Sequence, residues 1–161
     1  MLVPATPLLA AAALAGCGPF GDGGGGDGTL TEEEFAARGG EICGAAQERV
    51  ADVQRDPPTS RQDSIRFADR LIEVFEGEVA ELQALEPPDE RAEAFARYLE
   101  ARREAIDRLE QGRDAAEAND PQGYADAQAE VASSQVERAE LAQRAGLSDC
   151  SRVAGAGTGP R

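Results

Sequence analysis

Three proline-containing breaks divide residues 31–150 into four segments that each repeat apolar residues at helical spacing. The breaks are Asp56-Pro57-Pro58, Glu86-Pro87-Pro88 and Asn119-Asp120-Pro121. Proline stops a helix because it lacks an N–H donor and its ring clashes with the preceding turn. Four helices joined by short connections favour antiparallel neighbours. The sequence therefore predicts an all-α fold, an antiparallel up-down-up-down four-helix bundle over residues 31–150.

The first segment begins with a helix-capping pattern. Thr31 is followed by Glu34 at the spacing of a capping box, in which each side chain bonds the backbone N–H of the other residue. Apolar or small residues then recur at Phe35, Gly39, Ile42, Ala46, Val50 and Val53. The Gly39-Gly40 pair weakens a helix by about 1 kcal/mol per glycine relative to alanine. We therefore expect either a kink there or a late start near Glu41.

The second and third segments carry the most apolar helical stripes. Either Thr59 or Ser60 is suited to cap the second helix, and Pro88 is suited to the first turn of the third. The stripe of the second helix is Ser64, Ala68, Leu71, Phe75, Val79 and Leu82; that of the third is Phe95, Leu99, Ile106, Leu109 and Ala116. Both stripes predict helices packed through one face.

Two arginines interrupt the stripe of the third helix, Arg102 and Arg113. Arginine stems often cover apolar surface while the guanidinium reaches solvent, which would make both residues part of the bundle edge. The other interpretation is a basic lining for an anionic ligand, to which Tyr98 would also belong. Both interpretations stay open at the level of sequence.

The fourth helix is predicted to begin at Asp120-Pro121, which supply a cap and a proline at the first helical position. Its apolar side is thin and consists mostly of alanine. Gly146 fits the left-handed position after a helix end, with Leu147 folding back in a Schellman stop. Residues 151–161 are glycine-rich and are predicted to be a disordered tail.

An apolar run ends at Leu14-Ala15-Gly16-Cys17, which looks like a bacterial lipobox. On this interpretation residues 1–16 are a lipoprotein signal peptide, too short in its apolar part to span a bilayer, and Cys17 carries the lipid. The alternative is an ordinary cysteine after an alanine-rich stretch, and the leader lacks the usual Lys or Arg. Residues 17–30 are rich in glycine and predict a lipidated, flexible tether with a reach of roughly 20 Å.

The chain has three cysteines, an odd number for an exported protein. If Cys17 is lipidated, Cys43 and Cys150 remain as one pair in a compartment where disulfides persist. In an up-down bundle the end of the fourth helix returns beside the first. The sequence therefore predicts a disulfide between Cys43 and Cys150.

Charge and residue inventory exclude several classes of function. The formal net charge is −15, and such a surface repels nucleic acid. The chain contains no His and no Lys, so a catalytic triad, a Schiff base and the Glu-x-x-His pattern of di-iron bundles are impossible. We expect no enzyme activity, no cofactor and no metal site.

Sparse positions resemble a group of uncharacterised actinobacterial secreted or lipid-anchored helical proteins. They are Phe35 with Ile42-Cys43, Leu85-Glu86-Pro87-Pro88, and Gly146-Leu147 shortly before Cys150. The likeness spans roughly residues 31–150, and the Gly39-Gly40 pair departs from it. The resemblance implies a helical fold and an envelope location, and it brings no activity with it.

Two functional hypotheses follow. The first is a non-catalytic lipoprotein, anchored by Cys17 to the outer face of the cytoplasmic membrane, that contacts an envelope protein or a cell-wall component. The second is a small-ligand or cation binder with a pocket between helices near Tyr98, Arg102 and Arg113. A polar cavity around Arg102 would favour the second hypothesis, and a solid core of Ala and Leu would favour the first.

Overall fold

The computed structural model describes residues 29–152, and all regular structure within that range is helical. The helices are α1 (Glu32–Gln54), α2 (Arg61–Gln83), α3 (Asp89–Glu117), α4 (Pro121–Ser133) and α5 (Gln135–Arg144), followed by a 3₁₀ helix (Ser148–Ser151). The all-α class and the four predicted helical segments are confirmed. Residues 1–28 and 153–161 lie outside the described range. The lipobox and most of the predicted tether belong to the first of these segments, and the predicted disordered tail, except for Ser151 and Arg152, belongs to the second.

The fourth predicted helix is not continuous, because regular helical structure is interrupted at Ser134. The hydroxyls of Ser133 and Ser134 both donate to the Glu130 carbonyl at 3.0 Å. Hydroxyls that bond the carbonyl of the previous turn compete with the backbone ladder and bend helices. The adjacent serines therefore divide the segment into α4 and α5, which the sequence analysis did not predict.

Local capping signals set the helix starts. Thr31 and Glu34 form the predicted capping box, with the Glu34 N–H donating to Thr31 Oγ1 at 3.2 Å. Ser60, one of the two predicted candidates, caps α2, and Asp120 caps α4. Pro88 differs from prediction, because it lies immediately before α3 rather than inside the first turn.

Helix α1 begins at Glu32 and is continuous through Gly39 and Gly40, so the late start near Glu41 does not occur. A Cβ atom at Gly39 would collide with the side chain of Leu147, and one at Gly40 would lie 2.8 Å from Asp149 Oδ2. The two glycines therefore let the chain after α5 approach the α1 backbone closely. Their cost in helix propensity is offset by this contact.

The Schellman stop forms as predicted. Gly146 has a φ of +83°, and the N–H of Leu147 donates to the Ala142 carbonyl at 2.8 Å. The stop turns the chain toward α1, where the Leu147 side chain is buried. The Cα atoms of Cys43 and Cys150 lie 5.1 Å apart, and the two residues form the predicted disulfide.

The core consists of two apolar clusters. One surrounds Phe35, whose ring meets the Phe95 ring edge-on at a centroid distance of 5.1 Å. The other contains Ala46, Val50, Val53, Leu71, Ile72, Val74, Val79, Ile106 and Leu109. Among residues 29–152, no helix is both long enough and apolar enough to cross a membrane.

Candidate functional site

A cavity of about 310 Å³ lies between the helices, and all five α-helices contribute to its wall. Its volume is at the lower end of the range for small-molecule sites. The polar part of the wall includes Glu78, Tyr98, Arg102, Gln128 and Arg138, and further polar side chains also line it: Gln47, Gln54, Gln135, Ser151 and Arg152. The apolar part includes Phe67, Leu71, Phe75 and Val131. The core around Arg102 is therefore not a solid packing of Ala and Leu.

A buried ion pair forms one side of the cavity. The side chains of Glu78 and Arg102 are only 5% and 12% exposed, and an Arg102 guanidinium nitrogen contacts Glu78 Oε2. The Arg102 guanidinium also lies over the Phe75 ring, 4.4 Å from its centroid. Phe75 therefore fixes the plane of the guanidinium, and Glu78 balances its charge.

The second Glu78 oxygen, Oε1, lies 3.4 Å from Cys43 Sγ. Because Cys43 is in a disulfide, this sulfur has no proton to donate and the contact is not a hydrogen bond. Burial raises the pKa of Glu78, and the neighbouring Arg102 charge opposes that shift. The carboxyl group is thus costly to ionise, although it has a cationic partner.

Arg138 is the second guanidinium in the cavity wall, and it is half-buried. It donates to the Ser134 hydroxyl and, at 3.1 Å, to the Val131 carbonyl. Burial lowers the pKa of Arg138, and the like charge of Arg102 lowers it further. Within residues 29–152, no carboxylate oxygen lies within 4.0 Å of its guanidinium nitrogens. Arg138 therefore has no direct ion pair in the described chain, and the charges of Glu137 and Glu78 attract it only from a greater distance.

Two buried side-chain donors in this wall have no hydrogen-bond partner, Arg102 Nε and Gln128 Nε2. They are the only such side-chain atoms found among the described residues. A buried donor without an acceptor costs about 1–3 kcal/mol. Both donors belong to side chains that line the same cavity.

Tyr98 lies beside the ion pair and is only 1% exposed. Burial raises the pKa of its hydroxyl, with the Glu78 charge adding to the shift and the Arg102 charge opposing it. The phenol therefore stays protonated at physiological pH and can donate a hydrogen bond. Its chemical role in the cavity is that of a neutral polar group.

The structure brings Tyr98 and Arg102 together but keeps Arg113 apart from them. Arg113 follows Arg102 by eleven residues on α3, which is roughly 16 Å along a helix axis. Its guanidinium lies 3.0 Å from Asp114 and 3.8 Å from Asp69, and it does not line the cavity. Arg113 therefore lies at the edge of the bundle, as expected if its stem covers apolar surface and its guanidinium reaches solvent.

Sequence reasoning missed Glu78, Gln128 and Arg138. The sequence did contain a signal for Glu78 and Arg138, because each is a charged residue at a position where a helical stripe repeats. Glu78 continues the series Leu71, Phe75, Glu78, Leu82, and Arg138 continues the series Val131, Gln135, Arg138, Ala142, Ala145. A charge at such a position is buried unless the helix face turns away from the core.

A second depression, of about 290 Å³, lies where α3 ends and α4 begins. Arg61, Asn119 and Asp120 are among the residues that line it, and all three are exposed. Neither of the two unsatisfied buried donors belongs to it. No group of three or more His, Cys, Asp or Glu side chains suited to hold a metal ion occurs in residues 29–152.

Comparisons with protein-family models, with curated proteins and with solved structures found no match for this chain.

Proposed function

We propose that the folded domain is a non-catalytic binding module and that it holds a small organic molecule in the cavity beside Arg102. One observation carries the proposal: two side chains that line the same cavity between the helices, those of Arg102 and Gln128, each hold a buried donor without a partner. Folded proteins satisfy nearly all buried polar groups, and the exceptions call for an explanation. A bound ligand with an acceptor group supplies one.

The same wall argues against the cation-binding form of the second hypothesis. Among the described residues, Arg102, Arg138 and Arg152 line the cavity, and Glu78 is the one acid in its wall. That acid is already paired with Arg102. A metal ion or an amine would meet three guanidinium groups and no available carboxylate of the described chain, so we propose a ligand without positive charge.

Binding is favoured over catalysis because the cavity offers no available base or nucleophile. Glu78 is its one carboxyl group, with Oε2 against Arg102 and Oε1 against the disulfide sulfur of Cys43. A general base must reach the proton that it removes from the substrate. Tyr98 stays protonated, and the arginines stay charged.

The proposed location is the outer face of the cytoplasmic membrane, through a lipid on Cys17. The support is the lipobox-like sequence Leu14-Ala15-Gly16-Cys17, together with the Cys43–Cys150 disulfide, which suits an oxidising compartment. Mass spectrometry of the membrane-extracted protein should find an acylated chain that begins at Cys17. An unmodified peptide that spans Cys17 would contradict this location.

We also propose the up-down-up-down arrangement of the helices. The backbone N–H of Leu30, just before α1, donates to the Glu86 carbonyl, just after α2, at 3.2 Å. Arg61 at the start of α2 donates to the Glu117 carbonyl at the end of α3, also at 3.2 Å. Contacts between the start of one helix and the end of the next are those expected of antiparallel neighbours.

The binding proposal is tested by thermal-shift screening of the full chain against a library of small neutral and anionic fragments. Ala105 is buried in the cavity wall, so Ala105→Leu should fill part of the cavity and abolish the ligand-induced shifts while the chain stays folded. The matched control is Ala125→Leu on an exposed part of α4, which should leave them unchanged. Failure of every fragment to bind saturably, or equal shifts in both variants, would contradict the proposal.

A further inference from the structure

The charges in the cavity wall do not balance. Arg102 is neutralised by Glu78, and Arg152 at the rim lies 2.7 Å from Asp149. Arg138 is left with only a hydroxyl and a carbonyl as partners in the described chain. The wall therefore carries one excess positive charge, although the whole chain carries a net charge of −15.

A half-buried guanidinium without a counter-charge is unfavourable, and the neighbouring Arg102 charge makes it more so. A chain this rich in acids has carboxylates available on every helix, yet in the described part none comes within 4.0 Å of the Arg138 guanidinium nitrogens, and Glu137 and Glu78 attract it only from farther away. The missing negative charge is therefore explained most simply by a bound anion.

The vacant hydrogen-bond positions point to the same chemistry. Arg102 Nε and Gln128 Nε2 are donors, and an ionised carboxylate accepts several hydrogen bonds through its two oxygens. Hydrogen bonds to a charged acceptor are roughly twice as strong as those between neutral groups. One carboxylate would satisfy both donors and balance Arg138.

The rest of the wall limits what can be attached to that carboxylate. Phe67, Leu71, Phe75 and Val131 line the cavity with carbon atoms, and the volume is about 310 Å³. A second charge on the ligand would have no available partner in this wall. The attached body is therefore small and uncharged, with its apolar part against these four side chains, while Gln47, Gln54 and Gln135 supply neutral polar groups elsewhere in the wall.

We infer that the ligand of this cavity is a small monocarboxylate with an apolar body, whose carboxylate group lies against Arg102, Gln128 and Arg138. This inference rests on the proposed binding function and names the class of ligand. It assigns Arg138 as the residue that distinguishes an anionic ligand from its neutral analogue.

The test uses probes of nearly equal shape and different charge: hexanoate, hexanamide and hexylammonium, titrated into the full chain by calorimetry. Hexanoate should bind saturably, hexanamide at least about tenfold more weakly because it lacks the charge-assisted hydrogen bonds, and hexylammonium not at all. Inorganic phosphate, which has no apolar body, should not compete with hexanoate.

Variants identify the side chain responsible. Arg138→Gln should weaken hexanoate binding by about tenfold or more and hexanamide binding much less, because glutamine keeps a hydrogen-bond donor and removes the charge. Arg138→Lys should restore part of the preference for hexanoate. Arg113→Gln, a matched removal of an arginine outside the cavity, should have no effect.

The outcomes separate this inference from the proposed function. Equal binding of hexanoate and hexanamide, a preference for hexylammonium, or unchanged hexanoate binding in Arg138→Gln would overturn the monocarboxylate inference and leave the binding site in place. Absence of saturable hexanoate binding at millimolar concentration would also overturn it. The fragment screen with Ala105→Leu judges the binding function independently of ligand charge.

Discussion

Glu78 and Arg102 form the buried pair on which the cavity depends. Both lie inside apolar stripes, and neither is stabilised there by contact with solvent. Removing one partner of a buried pair leaves the other charge uncompensated, which costs about 3–5 kcal/mol. The cavity therefore has a polar wall that is energetically sensitive to single substitutions.

Arg102→Ala should lower the free energy of unfolding by about 3–5 kcal/mol at neutral pH, because it leaves Glu78 charged and buried. The loss should shrink in acid, where Glu78 binds a proton. Chemical denaturation at neutral and acidic pH measures both effects. Arg113→Ala is the control and should cost only about 0–1 kcal/mol, as expected for an exposed pair. Equal losses in the two variants would contradict a buried ion pair at Arg102.

The pKa of Glu78 should lie above its ordinary value of 4.5 in the folded chain, because burial outweighs the attraction of Arg102, Arg49 and Arg138. The folded state then binds this proton more tightly than the unfolded state. The contribution of Glu78 to stability is therefore greatest below pH 4.5 and decreases as the pH rises through its folded pKa.

Carboxyl NMR titration of the folded chain measures this pKa directly. Glu78→Gln should remove the corresponding part of the dependence of stability on pH, since glutamine does not titrate. A Glu78 pKa at or below 4.5 would show that the ion pair, and not burial, dominates the site.

At the scale of the helical elements, local signals predicted most boundaries. Three of these boundaries depend only on residues close in sequence, so each could be predicted without knowledge of the fold: the Thr31–Glu34 capping box, the Asp120 cap and the Gly146 stop. The continuity of α1 through Gly39 could not be predicted from the sequence, because Gly39 packs against Leu147, which lies more than a hundred residues away in the chain.

Two glycines of α1 provide a matched test of that contact. Gly39→Ala should destabilise the chain, because the new methyl group would collide with Leu147. Gly44 has open space where a Cβ would lie, so Gly44→Ala should stabilise by about 0.5–1 kcal/mol through helix propensity alone. Denaturant titration compares them. A stabilising Gly39→Ala would show that Leu147 does not pack closely against α1.

The site was predicted less completely than the elements. Tyr98 and Arg102 were recognisable because they lie on the stripe of α3, and Arg113 looked equivalent to Arg102 for the same reason. Only the packed structure separates them, because Glu78 lies beside one and Asp114 beside the other. Gln128 comes from α4, where only Ala127 is buried, so periodicity carries little information about it.

At the scale of the whole molecule, the Cys43–Cys150 disulfide joins residues 107 apart and ties the C-terminal 3₁₀ helix to α1. Closing a loop of about this length stabilises a chain by up to about 4.7 kcal/mol in the chain-entropy model. The connection also fixes Cys150, which lines the cavity.

Reduction of this disulfide should lower the free energy of unfolding by several kcal/mol, up to about 4.7 kcal/mol. Denaturant titration with and without reductant gives the difference. The Cys43→Ala, Cys150→Ala double variant should be insensitive to reductant and resemble the reduced chain. Unchanged stability of the native chain on reduction would show that the bond does not constrain the unfolded state.

We propose that the cavity between the helices binds a small monocarboxylate through its polar wall. The most direct measurement is an NMR titration of the isotope-labelled full chain with hexanoate. Saturable shift changes should be concentrated at Tyr98, Arg102, Gln128 and Arg138, with little change at Arg113 or on the exposed helix faces. Shift changes scattered over the surface, or none at these four residues, would contradict it.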